Sequence, residues 1–427
     1  MTVAERLRDH VHPNLAALRA NPAGECDFWA WIARERAPLI EPNPARPGYS
    51  IVTYVFPKPP DARYVVVGAG FGENRDNVMD QIPGTNVAFA SYSCRNDLRT
   101  SYSFAPDAPL ISFDEADEAE LKTIRAFWEG FTPASDPHHR EHFVSSAGEG
   151  LPPDITSFLS LSDAPDESIV HKRPGIARGW IDRHNFASAL MDNERRLWVY
   201  TPPGYKDGDQ AYPLLVAFDG GQAVSRIPTH RILDNLLADR RIRPVVAVFI
   251  DNPTPESRNT ELPCNKTFAR FIEEELLPWV RSQYRVSDDP AQHFVTGASF
   301  GGLASMWLGY RLPHVFGNVI SQAASLWWGP GFRMDVPRSA GGYTPEWLIE
   351  QYSQSPRLPV RFWMEIGLLE HPALMIEPNR RMKAVLEAKG YQLKYSEPCG
   401  AHDTALWRGT LASALEKMLA PNELGRT

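Results

Sequence analysis

The sequence predicts an α/β chain, with a helix-flanked and mostly parallel sheet in its second half and an all-β region before it. Three observations carry that expectation. Short runs rich in β-branched and aromatic residues crowd the first half, separated by Pro, Gly and Asp. From about residue 179 onward, apolar strand-like runs alternate with helical segments, the pattern of a parallel sheet with helices on its faces. Where one such strand meets a helix, the pentad Gly297-Ala298-Ser299-Phe300-Gly301 appears.

Residues 1–36 read as helical, with Leu7, Val11, Leu15 and Leu18 near helical spacing. From Tyr49 the period changes to that of strands. Ile51–Phe56, Tyr64–Val67, Val87–Ala90 and Ser101–Phe104 are short and closely spaced, which predicts a β-sandwich of immunoglobulin-like type. A short helix ends near Phe131. Residues 132–178 are rich in Pro, Asp, Ser and Gly and read as a linker or an irregular wrap. The expected organisation is therefore an N-terminal domain over 1–150, a linker over 151–178 and a catalytic domain over 179–427. In that last part Leu197–Tyr200, Leu214–Phe218, Val245–Ile250, Gln292–Val295, Val319–Ser321, Val360–Glu365 and Gln392–Tyr395 read as strands. Phe268–Gln283 and Glu377–Lys389 read as helices.

A chain of 427 residues exceeds one ordinary core, in keeping with two domains. Its 43% hydrophobic and 22% charged residues are those of a soluble globular protein. A net charge of −8 argues against nucleic acid or a membrane surface as partner. The N-terminus carries charges throughout, so no signal peptide is expected, and no apolar run of membrane-spanning length occurs. Cys26, Cys94, Cys264 and Cys399 are scattered without metal spacing, which suits buried thiols in a reducing cytoplasm. His138-His139-Arg140-Glu141-His142 lacks the spacing of a closed metal site and reads as a solvated loop.

The pentad is the nucleophile elbow of the α/β-hydrolase fold, with Ser299 on a sharp strand-to-helix turn flanked by small residues. A serine hydroxyl needs a base, an orienting acid and an oxyanion hole, and this fold orders its triad Ser, acid, His. Of the histidines after Ser299, His402 lies in a loop past the last strand and before a helix, where the base belongs. The loop after Val360–Glu365 offers Glu370 as the acid, with Glu365 still inside the strand; a Ser–His dyad is the simpler alternative. Asp403 reads as a helix cap. The backbone N–H of Phe300 and that of Gly221, or of a residue beside it in Phe218-Asp219-Gly220-Gly221-Gln222, would form the oxyanion hole.

With these residues placed, the chain resembles the cytoplasmic, two-domain enterochelin (enterobactin) esterases, whose catalytic domain is of the esterase D-like group. The resemblance rests on Gln81-Ile82-Pro83-Gly84-Thr85-Asn86-Val87, Asp97–Phe104, Arg258-Asn259-Thr260-Glu261-Leu262-Pro263-Cys264-Asn265, Ser321–Trp328, and His402-Asp403 followed by Trp407-Arg408-Gly409. Ala298 departs from it, standing where that family carries glutamine. The resemblance implies hydrolysis of the ester bonds of a catecholate trilactone siderophore, ferric or iron-free, through an acyl-serine. No cofactor is implied, because the iron belongs to the substrate. It also points to Arg258 as a cation for an anionic chelate, with Arg178, Lys266 and Arg408 behind it and Glu261 as an orienting partner of Arg258. Trp327 and Trp328 are candidates to stack on aromatic rings, with core packing the competing reading for at least one of them. The same machinery would also serve another lactone, an aryl ester or an acyl acceptor other than water, and a non-catalytic chelate binder is the reading from a different class.

Overall fold

The computed structural model describes residues 2–113, 115–145, 154–207 and 209–421. In the N-terminal half the strands are β1 (Ala4–Arg6), β2 (Leu39–Pro42), β3 (Tyr49–Pro57), β4 (Val65–Gly68), β5 (Asp80–Gln81), β6 (Val87–Arg95), β7 (Arg99–Pro106), β8 (Glu141–Ser145) and β9 (Asp154–Ser160). Among the described residues they form two antiparallel sheets, one in the order β1-β6-β3-β2 with β5 also on β6, the other β4-β7-β9-β8. Facing side chains of the two sheets share one apolar cluster that includes Val52, Tyr54, Val65, Val67, Tyr102 and Leu159. Phe56 of one sheet stacks on Phe104 of the other at 4.3 Å.

Two sequence expectations are corrected here. Residues 1–36 are not all helix: β1 pairs along β6, with Arg6 opposite Tyr92, before the helices Pro13–Ala20 and Glu25–Glu35. A free sheet edge supplies backbone partners that local periodicity does not reveal. Nor is 151–178 a linker throughout. Residues 151–153 lie outside the described set, but β9 pairs with both β7 and β8, so the second N-terminal sheet reaches Ser160. Phe158 and Leu159 are buried there among residues whose polar neighbours had suggested a loop.

The second half carries β10 (Trp180–Ser188), β11 (Asn193–Thr201), β12 (Leu214–Phe218), β13 (Val246–Ile250), β14 (His293–Ala298), β15 (Asn318–Gln322), β16 (Arg361–Glu365) and β17 (Leu393–Ser396). Their spatial order is β10-β11-β13-β12-β14-β15-β16-β17. From β13 to β17 every pairing is parallel, while β10–β11 and β11–β13 are antiparallel. Helices cover both faces, giving an α/β-hydrolase-like half. Strands β12 and β13 are buried at every residue, which is why they read as continuous apolar runs. The helical run Lys266–Gln283 widens to a π-helical segment at Phe271–Leu276. Pro278 follows, with no N–H to donate into the ladder.

Candidate active site

The carboxyl ends of β12, β14 and β15 border one cavity, the usual position for a site in a parallel sheet. Ser299 follows β14 directly and has φ 60° and ψ −119°, a conformation that L-residues adopt only when the surroundings impose it. Those surroundings are steric and hydrogen-bonded. A Cβ at Gly297 would lie 2.6 Å from the carbonyl carbon of Gly301, and one at Gly302 would lie 2.7 Å from the Gln322 carbonyl oxygen. Ser299 N–H donates to Gln322 O at 3.0 Å, and its carbonyl accepts from Leu303 at 3.0 Å and Ser325 at 3.2 Å. The hydroxyl lies 3.3 Å from that of Ser325.

Ser299 and His402 line the same cavity of about 380 Å³, together with Asp219, Gln222, Arg258 and Trp407. His402 Nδ1 lies 2.8 Å from each carboxylate oxygen of Glu370, and the Glu370 side chain is 2% exposed. Nδ1–H therefore donates to the carboxylate, which leaves Nε2 as the free acceptor. Trp407 stands edge-on to the imidazole at 4.8 Å and 86°. Glu365 faces elsewhere: it accepts from Gln322 Nε2 at 2.9 Å and from the Thr410 hydroxyl, and burial pushes its carboxyl up to about 7.

Other expected residues fall in different places. Gly221 does not line the cavity, and its N–H donates to Asp251 Oδ1 at 3.3 Å, so that amide is committed. Its neighbours Asp219 and Gln222 do line the cavity, and Phe300 starts the helix Phe300–Arg311 beside Ser299. Arg258 is in the cavity wall but bound at two points by Asp219, Nε to Oδ1 at 2.5 Å and Nη2 to Oδ2 at 2.8 Å. Burial alone would depress the guanidinium, yet the Asp219 hydrogen bonds and charge hold it above its ordinary value.

Glu261 is not its partner. It accepts instead from the fully buried Arg195, from Asn193 and from Asn252. Arg408, within the final helix, is buried against Glu167, and Arg178 is exposed and donates to the Arg173 carbonyl. Lys266 is exposed at the start of its helix. Trp327 is core, packed at 4.8 Å on Phe332 and 5.9 Å on Phe300. Trp328 is half-buried and lines a second cavity of about 800 Å³ between the two halves, with Phe113, Arg125 and Trp128; Asn259 borders both cavities. Among the described residues no group of His, Cys, Asp and Glu could hold a metal ion. Sequence reasoning missed Asp219 and Trp407; an acid directly after a buried strand was the available signal for the first.

A family model described as "Putative esterase" matches residues 188–418, over half of the chain, and one described as "Enterochelin esterase, N-terminal" matches residues 52–170. The chain belongs to the enterochelin esterase family. As an esterase of that family it is a carboxylic ester hydrolase. It is 28% identical over 96% of both chains to the iron(III) enterobactin esterase of Dickeya dadantii. To the iron(III) salmochelin esterase of Escherichia coli it is 27% identical, over 95% of this chain and 97% of the relative. The crystal structure of ferric enterobactin esterase from Salmonella typhimurium superposes with a TM-score of 0.74 at 25% identity, covering 91% of this esterase and 98% of that one. The Shigella flexneri enterobactin esterase, crystallised in the presence of enterobactin, gives 0.71 at 25% identity, covering 91% and 97%.

Proposed function

We propose that this esterase hydrolyses the ester bonds of a catecholate trilactone siderophore by a Ser299–His402–Glu370 triad. The observation that carries the reading is the Glu370–His402 pair, which shares one cavity with a serine held in elbow geometry. The relatives are named for iron(III) enterobactin and salmochelin, which supports the substrate class.

Ser299 Oγ attacks the ester carbonyl while His402 Nε2 takes the hydroxyl proton, and Glu370 stabilises the imidazolium through Nδ1–H. The Phe300 N–H and a second amide from the Asp219–Gln222 turn would hold the oxyanion. Collapse expels the alcohol, which takes the proton from Nε2 and leaves an acyl-serine. Water, deprotonated by His402, then releases the acid. No step calls for a cofactor; iron, where present, arrives with the substrate.

The pairing of Arg258 with Asp219 favours a second reading of the substrate, an uncharged aryl ester or lactone, because that cation is already neutralised. Free cysteines throughout, three of them buried, support a reducing cytoplasmic setting. The core shared by the two N-terminal sheets supports a sandwich domain ending near Ser160, with the catalytic domain from about Gly179.

Mass spectrometry of iron-free and ferric trilactone incubated with wild type and Ser299→Ala tests the proposal. Linear and monomeric catechoyl-serine products from wild type alone are expected. Intact trilactone beside rapid turnover of simple aryl esters would replace the substrate, and unchanged cleavage by Ser299→Ala would remove the mechanism.

A further inference from the structure

Strand β7 of the N-terminal half is bound to the loop that carries His402, on both sides of that residue. Asp403 Oδ2 lies 2.8 Å from the Ser101 N–H, 3.0 Å from the Ser101 hydroxyl and 3.1 Å from the Thr100 hydroxyl. Its other oxygen, Oδ1, caps the final helix through Leu406 N–H at 3.0 Å. On the other flank, Arg99 N–H donates to Cys399 O at 3.1 Å. Backbones approach closely along the same line. A Cβ at Gly400 would lie 2.7 Å from the Arg99 carbonyl oxygen, and one at Gly70 would lie 2.5 Å from the Ala401 Cβ.

The final helix, Thr404–Met418, is tied a second time. Arg408 pairs with Glu167, whose carboxylate is 3.7 Å from Arg99 Nε. The loop carrying Glu370 joins the assembly through its backbone: Leu369 N–H donates to Gly400 O at 3.0 Å and Leu368 N–H to Pro398 O at 2.9 Å. Cys399, Leu368 and Leu369 complete the N-terminal apolar cluster.

We propose that the N-terminal half fixes the catalytic base, with Thr100, Ser101 and Asp403 as positioning residues that set where His402 stands relative to Ser299. An Asx cap alone needs only one carboxylate oxygen. Here the second oxygen faces the N–H and hydroxyl of Ser101 and the hydroxyl of Thr100, which also lies 3.2 Å from the Ala69 and Ser101 carbonyls, on a strand some 300 residues earlier, contacts that helix capping does not require. His402 itself is 39% exposed and has Glu370 as its polar side-chain partner, so its position depends on the backbone that carries it. The inference rests on His402 being the base.

The test is steady-state hydrolysis of p-nitrophenyl butyrate, a probe too small to need the second cavity, with the rate of Ser299 labelling by a fluorophosphonate as an independent readout. In the double variant Thr100→Val with Ser101→Ala, kcat and the labelling rate should both fall about 10- to 100-fold, as expected for a displaced general base, with KM within about twofold. The conservative pair Thr100→Ser with Ser101→Thr, which keeps both hydroxyls, should restore them. If the double variant does not fold, Asp403→Asn serves. It keeps the cap and the size but turns an NH₂ toward the Ser101 N–H, and the same loss is expected. Full kcat and labelling in a folded double variant or in Asp403→Asn, beside an inactive Ser299→Ala, would overturn the positioning role and leave the triad standing. Undiminished turnover by Ser299→Ala would overturn both.

Discussion

Arg258 and Asp219 form a two-point ion pair in the wall of the cavity that holds Ser299. Asp219 sits there in a left-handed conformation at φ 54°, directly after β12, and starts the short helix Gly220–Val224. The arginine therefore shapes the turn from which an oxyanion donor would come. Replacing Arg258 by Ala leaves a mostly buried carboxylate without its partner and should destabilise the protein by about 2 kcal/mol. Lysine restores charge but not the planar fork, so Arg258→Lys should recover less than half of that. Urea unfolding of the three proteins checks this, and equal midpoints would show the pair to be inert.

Glu370→Gln tests the orientation of the imidazole rather than its presence. A glutamine can donate to Nδ1, which moves the proton to Nε2 and removes the acceptor that Ser299 needs. The expected loss in kcat is about 10²- to 10⁴-fold with KM little changed, measured on any hydrolysed ester. A loss below about threefold would favour the Ser–His dyad.

Glu365, the other acid of that strand and loop, should behave oppositely. Its folded carboxyl titrates at about 7, above its unfolded value near 4.5, because burial opposes the charge. The folded state thus holds the proton where the unfolded state has lost it. Stability from this group is full below about pH 4.5 and disappears as pH rises through about 7, a change of about 3 kcal/mol. Glu365→Gln keeps an acceptor for Gln322 and Thr410 but cannot ionise. Its unfolding free energy should be the flatter of the two between pH 5 and 8, and parallel curves would contradict the assignment.

What the sequence disclosed and what it hid differ in range along the chain. The elbow was legible because part of its constraint is local: a Cβ at Gly297 would meet the backbone of Gly301 four residues on, whereas Gly301 itself is confined by Phe218 and Asp219 from another strand end. The placing of Glu370 and His402 followed from fold-level chain order, and the structure brings them within 2.8 Å. Asp219 with Arg258, and Asp403 with Ser101, are set by pairings 39 and 302 residues apart, which no periodicity reports. Strand β10 was missed because it is an edge strand whose residues are mostly exposed or half-buried. For Gly221 the strand end was right, yet which amide faces the cavity turns on a single residue of a five-residue helix. Glu261 was placed beside Arg258 by proximity in sequence, whereas the fully buried Arg195 had the greater need of a carboxylate.

The grip of β7 on the His402 loop gives the N-terminal strands unequal tolerance to sequence drift. Changes at β2 or β8, each the outer strand of its sheet, can be absorbed by that sheet. A one-residue slip in β7 would instead carry Thr100 and Ser101 to opposite faces and withdraw their hydroxyls from Asp403 together. Grafting this hydrolase half onto another partner domain would therefore succeed only where the graft offers a strand of matching register.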